Sequence, residues 1–273
     1  KQIRVVQYNK NTIRNKGKNM RKVVIANNKG GVAKTTTAYN LASYYAKKGR
    51  RVLVIDCDPQ GNLTDALGID PNNLESTIFD VLMNKKIREY MIKLPQANNF
   101  YLIPSNLNSE TVNINLATYH GRESILKEVL REVEDDFDLC IIDTSPSLSI
   151  LTFNAIVAAD SVYLTLRAGY FELRGAGLLT STINEVKNDL NSDLEIRGLI
   201  LTQYDIRTSL SIDSREQLEK YFESKIMKTV IRQNVDLAKA PALTQDIFEF
   251  APESNGAKDY EALAQEILKR EGL

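Results

Sequence analysis

The chain is poor in the residues that several functional classes need. It has two cysteines, Cys57 and Cys140, in 273 residues. That is too few for a disulfide framework and points to a reducing compartment. No Cys-x-x-Cys pair is present, which argues against a metal-cluster carrier. The one histidine, His120, speaks against histidine metal sites and His-dependent triads, and is read as structural or surface. Charge of either sign is not in excess: Lys+Arg and Asp+Glu are both 35. Bulk charge therefore names no partner, and nucleic-acid contact would need a local patch. No apolar run approaches the roughly 18 residues of a membrane-spanning helix. The basic N-terminus lacks an apolar core, so it does not read as a secretory signal. No internal repeat, low-complexity tract or interdomain linker stands out.

What is present suits a folded globular chain. Apolar residues make up 43% and charged residues 26%, ample for a core and unlike a disordered chain. The zero net charge conceals an asymmetry. Residues 1–19 carry Lys1, Arg4, Lys10, Arg14, Lys16 and Lys18 and no acid, and the remainder is correspondingly acidic. We therefore expect a basic arm over 1–19 and one domain over 20–273. The arm is an upstream extension, an appended remnant or a real basic tail.

Val23–Ala26, Val52–Ile55, Leu139–Ile142, Val162–Leu166 and Leu199–Thr202 are short, continuous apolar runs. Runs without alternation suit strands covered on both faces. Tyr101–Ile103 and Thr229–Ile231 are weaker candidates. Helical stripes lie between them, at Ala38, Leu41, Ala42 and Tyr45, at Ile125 to Val133, and at Tyr260 to Leu268. Gly49 is placed to end the first helix. Alternating strand and helix predicts an α/β fold with a doubly wound, mostly parallel sheet flanked by helices.

The strongest signal is Asn28-Lys29-Gly30-Gly31-Val32-Ala33-Lys34-Thr35-Thr36. It follows an apolar strand and opens a helix, the context of a phosphate-binding loop. Small residues let backbone N–H groups approach phosphate oxygens, and the helix N-terminus favours the anion. Lys34 would neutralise phosphate charge, and the Thr35 hydroxyl would bind Mg²⁺. Two further runs end in acids. Val52-Leu53-Val54-Ile55-Asp56-Cys57-Asp58-Pro59-Gln60-Gly61-Asn62 delivers Asp56 and Asp58 at a strand end. Leu139-Cys140-Ile141-Ile142-Asp143-Thr144-Ser145-Pro146 delivers Asp143, placed to hold Mg²⁺.

These three runs, in order, resemble the ParA/MinD group of deviant Walker A P-loop ATPases, and the ParA branch most. The resemblance covers about residues 20–273. It implies ATP and Mg²⁺ as cofactors and a slow, partner-stimulated ATPase. It implies catalytic roles for Lys29, Lys34 and Asp58. Lys29 would reach the nucleotide of a facing subunit, and Asp58 would orient the attacking water. Asp56 would support the Mg²⁺ shell with Thr35 and Asp143, and Thr144 would lie near the γ-phosphate. Gly30, Gly31, Val32, Ala33 and Thr36 would line the nucleotide, with Pro241 near the adenine. The group usually has glycine where this chain has Ala33. A methyl there is either tolerated or crowds the phosphates, and a positive φ would strain it.

The resemblance also implies partners: a homodimer formed on ATP, nonspecific double-stranded DNA, and a ParB-type centromere-binding protein. It implies plasmid or chromosome partition by a cytoplasmic, nucleoid-associated protein. Arg207, in Tyr204-Asp205-Ile206-Arg207-Thr208, and Arg232, before Asn234-Val235-Asp236-Leu237, would meet DNA. Lys220, Lys225 and Lys228 add positive charge nearby. The alternative is a MinD-like, membrane-associated regulator of cell division. That would need a basic amphipathic C-terminal helix, whereas the stripe at Tyr260–Leu268 carries mixed charge and reads as a packed helix. No membrane contact is expected.

Overall fold

The computed structural model describes residues 20–167 and 172–273. The basic arm over 1–19 lies outside the described residues. Among the described residues, eight strands form one sheet: β1 (Arg21–Ala26), β2 (Val52–Cys57), β3 (Ile92–Lys93), β4 (Phe100–Ile103), β5 (Leu139–Thr144), β6 (Ser161–Arg167), β7 (Glu195–Tyr204) and β8 (Ile226–Arg232). Their spatial order is β3-β4-β2-β5-β1-β6-β7-β8. Every pairing is parallel except β3 with β4. All seven expected runs are strands. The unexpected β3 is a two-residue edge element, too short to carry a pattern.

Helices α1 (Lys34–Lys47), α2 (Asn62–Ala66), α3 (Ile78–Asn84), α4 (Val112–Asn115), α5 (Ile125–Leu130), α6 (Ile150–Ala158), α7 (Glu172–Asp189), α8 (Ser209–Phe222), α9 (Asp236–Lys239), α10 (Ile247–Phe250) and α11 (Asn255–Glu271) cover both faces. The two faces explain the continuous apolar runs. Val23 and Ile25 of β1 pack with Leu41, Tyr45, Tyr260 and Leu263 of α1 and α11. Val24 and Ala26 pack on the opposite side with Leu126, Leu151 and Ile156 of α5 and α6. Successive side chains of a strand point to opposite faces, so a strand covered twice is apolar throughout. Gly49, with φ +85°, follows α1 as expected of a helix stop.

The last helix is fastened rather than free. The Tyr45 hydroxyl donates to the Ala264 carbonyl at 3.0 Å. The buried Glu271 carboxylate accepts from the Tyr163 hydroxyl at 2.7 Å, from the Ser161 hydroxyl at 2.9 Å and from Arg21 Nε. One side chain thus ties the chain end to β1 and β6. The stripe at Tyr260–Leu268 is a packing face, as read from the sequence. Among the described residues, no helix is long and apolar enough to cross a membrane.

Removing the Glu271 carboxylate leaves its three donors without their acceptor. Glu271→Ala is expected to cost about 2 kcal/mol, moderated by the partly exposed Arg21. Thermal unfolding would then show a melting temperature lower by about 4–8 °C, and Glu271→Gln would recover part of it.

Candidate active site

The site is built at the carboxyl edge of three neighbouring strands. In the register, Ile25 of β1 lies beside Asp143 of β5, and Asp143 lies beside Asp56 of β2. The loop after β1 therefore emerges next to both acid-bearing strand ends. Asn27 shapes its start, since its Oδ1 accepts from the Lys29 amide at 2.9 Å. Gly31 has φ +71°, a left-handed conformation that glycine adopts without a Cβ clash. Ala33 follows at φ +64°, also left-handed, and is the N-cap of α1 without a side-chain cap. The methyl at Ala33 is thus held in a strained region, at about 1 kcal/mol for a non-glycine residue, and the helix forms regardless. The uncapped amides of α1 open on a cavity of about 590 Å³. Residues 30–36 line it, with Tyr39, Asp58, Gln60, Gln203 and Pro241. Such amides at a helix start form an anion site.

Four charged groups are gathered here out of water. Lys34 is 6% exposed, and its ammonium donates to the Lys29 carbonyl at 2.8 Å. Burial lowers its pKa, against the opposing pull of Asp143 and Asp58. Asp58 is buried at the cavity wall, and its Oδ1 accepts from the Gln60 amide at 3.0 Å. Asp56 is completely buried, and both its oxygens are engaged. Oδ1 accepts from the Asp58 amide at 3.0 Å, and Oδ2 from the Thr64 amide and hydroxyl at 2.9 and 2.7 Å. Asp56 therefore organises the loop over 58–64, the loop half of its expected role. Gly61, at φ +65°, makes that loop possible, because a Cβ there would meet the Ser105 carbonyl at 2.9 Å.

Asp143 Oδ2 accepts from the Thr35 hydroxyl at 2.7 Å, while its Oδ1 is buried without a partner. An orphaned carboxylate oxygen beside a hydroxyl at the phosphate loop fits a magnesium ion. Such an ion takes few protein ligands and completes its shell with phosphate oxygens and water. Consistently, no all-protein cage of His, Cys, Asp or Glu occurs among the described residues. The Thr144 hydroxyl donates to the Ile25 carbonyl at 2.9 Å.

A family profile described as an AAA domain matches residues 20–196. The sporulation initiation inhibitor protein Soj of Bacillus subtilis is 41% identical over 245 residues, which span 90% of this chain and 97% of that protein. The chromosome-partitioning ATPase Soj of Treponema pallidum is 38% identical over 92% of this chain and 98% of its own. Among solved structures, a cobyrinic acid a,c-diamide synthase from Mycobacterium smegmatis with bound ADP and magnesium superposes with a TM-score of 0.82. It is 32% identical and covers 93% of this chain and 96% of its own. The chain belongs to the ParA/Soj family of partitioning ATPases. It is accordingly an ATPase.

Within this family member the two candidate DNA-contacting arginines have different surroundings. Arg207, in the β7–α8 loop, has a side chain 84% exposed. Its Nε and Nη2 are held by the two oxygens of Asp205, each at 2.9 Å. That fork keeps the Asp205 carboxyl down at about 2. Arg232 is instead built into the fold. Its Nη2 and Nε reach Asp259 of α11 at 2.6 and 3.0 Å, and Asp259 also accepts from its amide. In the folded chain Arg232 thus clamps β8 to α11, while its side chain remains 36% exposed. His120 is on the surface, as read.

Other residues of the site escaped the sequence. Thr64 holds Asp56, yet nothing in its neighbourhood sets it apart from other threonines. Gln203 lines the cavity and donates to the Gly31 carbonyl, a partner 172 positions away. Its only sequence signal is its place at the end of an apolar strand.

Two outcomes follow from this geometry. Because Ala33 already holds a glycine-like backbone, Ala33→Gly should leave nucleotide affinity within about threefold, and strain relief should offset the added unfolded-state freedom to within about 1 kcal/mol. Nucleotide titration and urea unfolding would measure both. The second concerns pH. Burial raises the Asp56 carboxyl to about 6 and pushes Asp143 up as well, with the charge of Asp56 adding to burial. A folded-state pKa above the unfolded value of about 3.9 means that the folded chain keeps a proton the unfolded chain releases. Nucleotide-free stability should therefore fall as pH rises from about 4 through about 6. Asp143→Asn should show a shallower fall.

Proposed function

We propose that the chain is an ATP-driven DNA-partition switch. ATP binding forms a homodimer, the dimer holds double-stranded DNA without reading its sequence, and hydrolysis dissolves it. Lys34 and the amides of residues 30–36 hold the phosphates, and Lys29 reaches across to the nucleotide of the facing subunit. Thr35 and Asp143 would hold Mg²⁺, which supplies charge neutralisation at the β and γ phosphates. Asp58 orients the attacking water, and a ParB-type protein stimulates that step. Arg207 meets DNA phosphates, so binding is sensitive to salt. The setting is the cytoplasm, on the nucleoid, and the cargo is a plasmid or chromosome.

The observation that carries this reading is the opening of the phosphate loop, Asp58 and the end of β7 onto one cavity. The nucleotide site thereby adjoins the loop that presents Arg207. The membrane-associated alternative gains no support, since the apolar stripe of α11 is buried against the sheet.

Retention of random duplex DNA, measured across a salt series, tests the proposal. Binding is expected with Mg-ATP and not with Mg-ADP, and Lys34→Ala should abolish it. Arg207→Ala should weaken all sequences alike and reduce the salt slope by about 0.9 for each phosphate no longer neutralised. Arg232→Ala should instead lower thermal stability while leaving the salt slope unchanged. Equal retention with ATP and ADP would refute the switch.

A further inference from the structure

Gln203 stands where β7 leaves the sheet. Its backbone is left-handed, with φ +50°, which a side-chain-bearing residue adopts only when its surroundings hold it there. The visible hold is a single bond: Gln203 Nε2 donates to the Gly31 carbonyl at 2.7 Å. Beside it, the Thr202 hydroxyl lies 3.2 Å from the Val32 carbonyl. The end of β7 is thus attached to the backbone of the phosphate loop. The β7–β8 ladder shifts register between Leu201 and Tyr204, so Gln203 sits in an irregularity between two paired positions. Two residues beyond Gln203 is Asp205, whose carboxylate grips Arg207.

We infer that Gln203 is a positioning residue that couples nucleotide occupancy to the loop carrying Arg207. The functional meaning of that coupling rests on the DNA reading above. Gln203 lines the cavity but is placed against a carbonyl of the phosphate loop, not against reacting atoms. A nucleotide that reshapes the Gly31 peptide alters the hold on a strained backbone. Residues 204–208 follow, because they continue directly from it. Two sites are coupled when both bias one element with alternative arrangements, and the 203–208 segment is bonded to the phosphate loop at one end and carries Arg207 at the other. In the arrangement seen here Asp205 occupies the Arg207 guanidinium with the same planar fork that a phosphate would use.

The test uses the full chain, as wild type, Gln203→Met and Gln203→Gly. Methionine keeps length and loses the donor; glycine tolerates the backbone and loses the donor. Three quantities are read: affinity for a fluorescent ATP analogue, duplex-DNA affinity with and without Mg-ATP, and amide hydrogen exchange over 204–212. In the wild type, nucleotide should change exchange at 204–208 and raise DNA affinity. In both variants nucleotide affinity should stay within about threefold, while the ATP-dependent gain in DNA affinity shrinks by about tenfold or more and the exchange response disappears. Wild-type gain and wild-type exchange response in Gln203→Met would overturn the inference. So would a common loss of more than about tenfold in nucleotide affinity, which would make Gln203 a nucleotide-binding residue instead. If the wild type shows no nucleotide-dependent DNA binding, the DNA reading fails on its own. Exchange then decides the coupling: a response present in wild type and lost in the variants supports it, and no response or an equal one refutes it.

Discussion

Buried charge at the edge of the sheet is the constraint around which this molecule is arranged. Asp56, Asp58, Asp143 and Lys34 are all at most 7% exposed. Removing carboxylates from water is costly unless each finds donors or a counter-charge. Asp56 finds three donors in the loop that follows it, and Asp58 finds the Gln60 amide. Asp143 finds only Thr35 and keeps one oxygen without a partner. The Asp143 oxygen left without a partner and the nearby Lys34 ammonium fit the divalent cation and phosphates that an ATPase binds. The parallel register of β1, β5 and β2 is what makes this gathering possible, because it brings three strand ends level.

The same loop has a second neighbour. On the acid side it faces β2 and β5, and on the other it is bonded to the end of β7 through Thr202 and Gln203. The cavity therefore borders two segments at once. One carries Asp58, and the other leads to Arg207.

The motifs are legible in the sequence because their residues act within a few positions of one another. Residues 28–36, 56–62 and 143–146 each form one turn at one strand end, so spacing alone conveys their chemistry. The apolar runs disclose the strands because burial on both faces removes alternation. The longer α7 carries two glycines and several β-branched residues within its span, which blurs its helical period. Tertiary structure decided the rest. Ala33 could have been harmless or strained, and only the backbone path shows the left-handed turn that the loop imposes on it. Arg232 meets Asp259 only because α11 packs beside β8, and Gln203 meets the Gly31 carbonyl only because the phosphate loop comes within 2.7 Å. Local chemistry is written in neighbouring letters, whereas the pairing of residues 27 or 172 positions apart depends on how the sheet brings distant segments together.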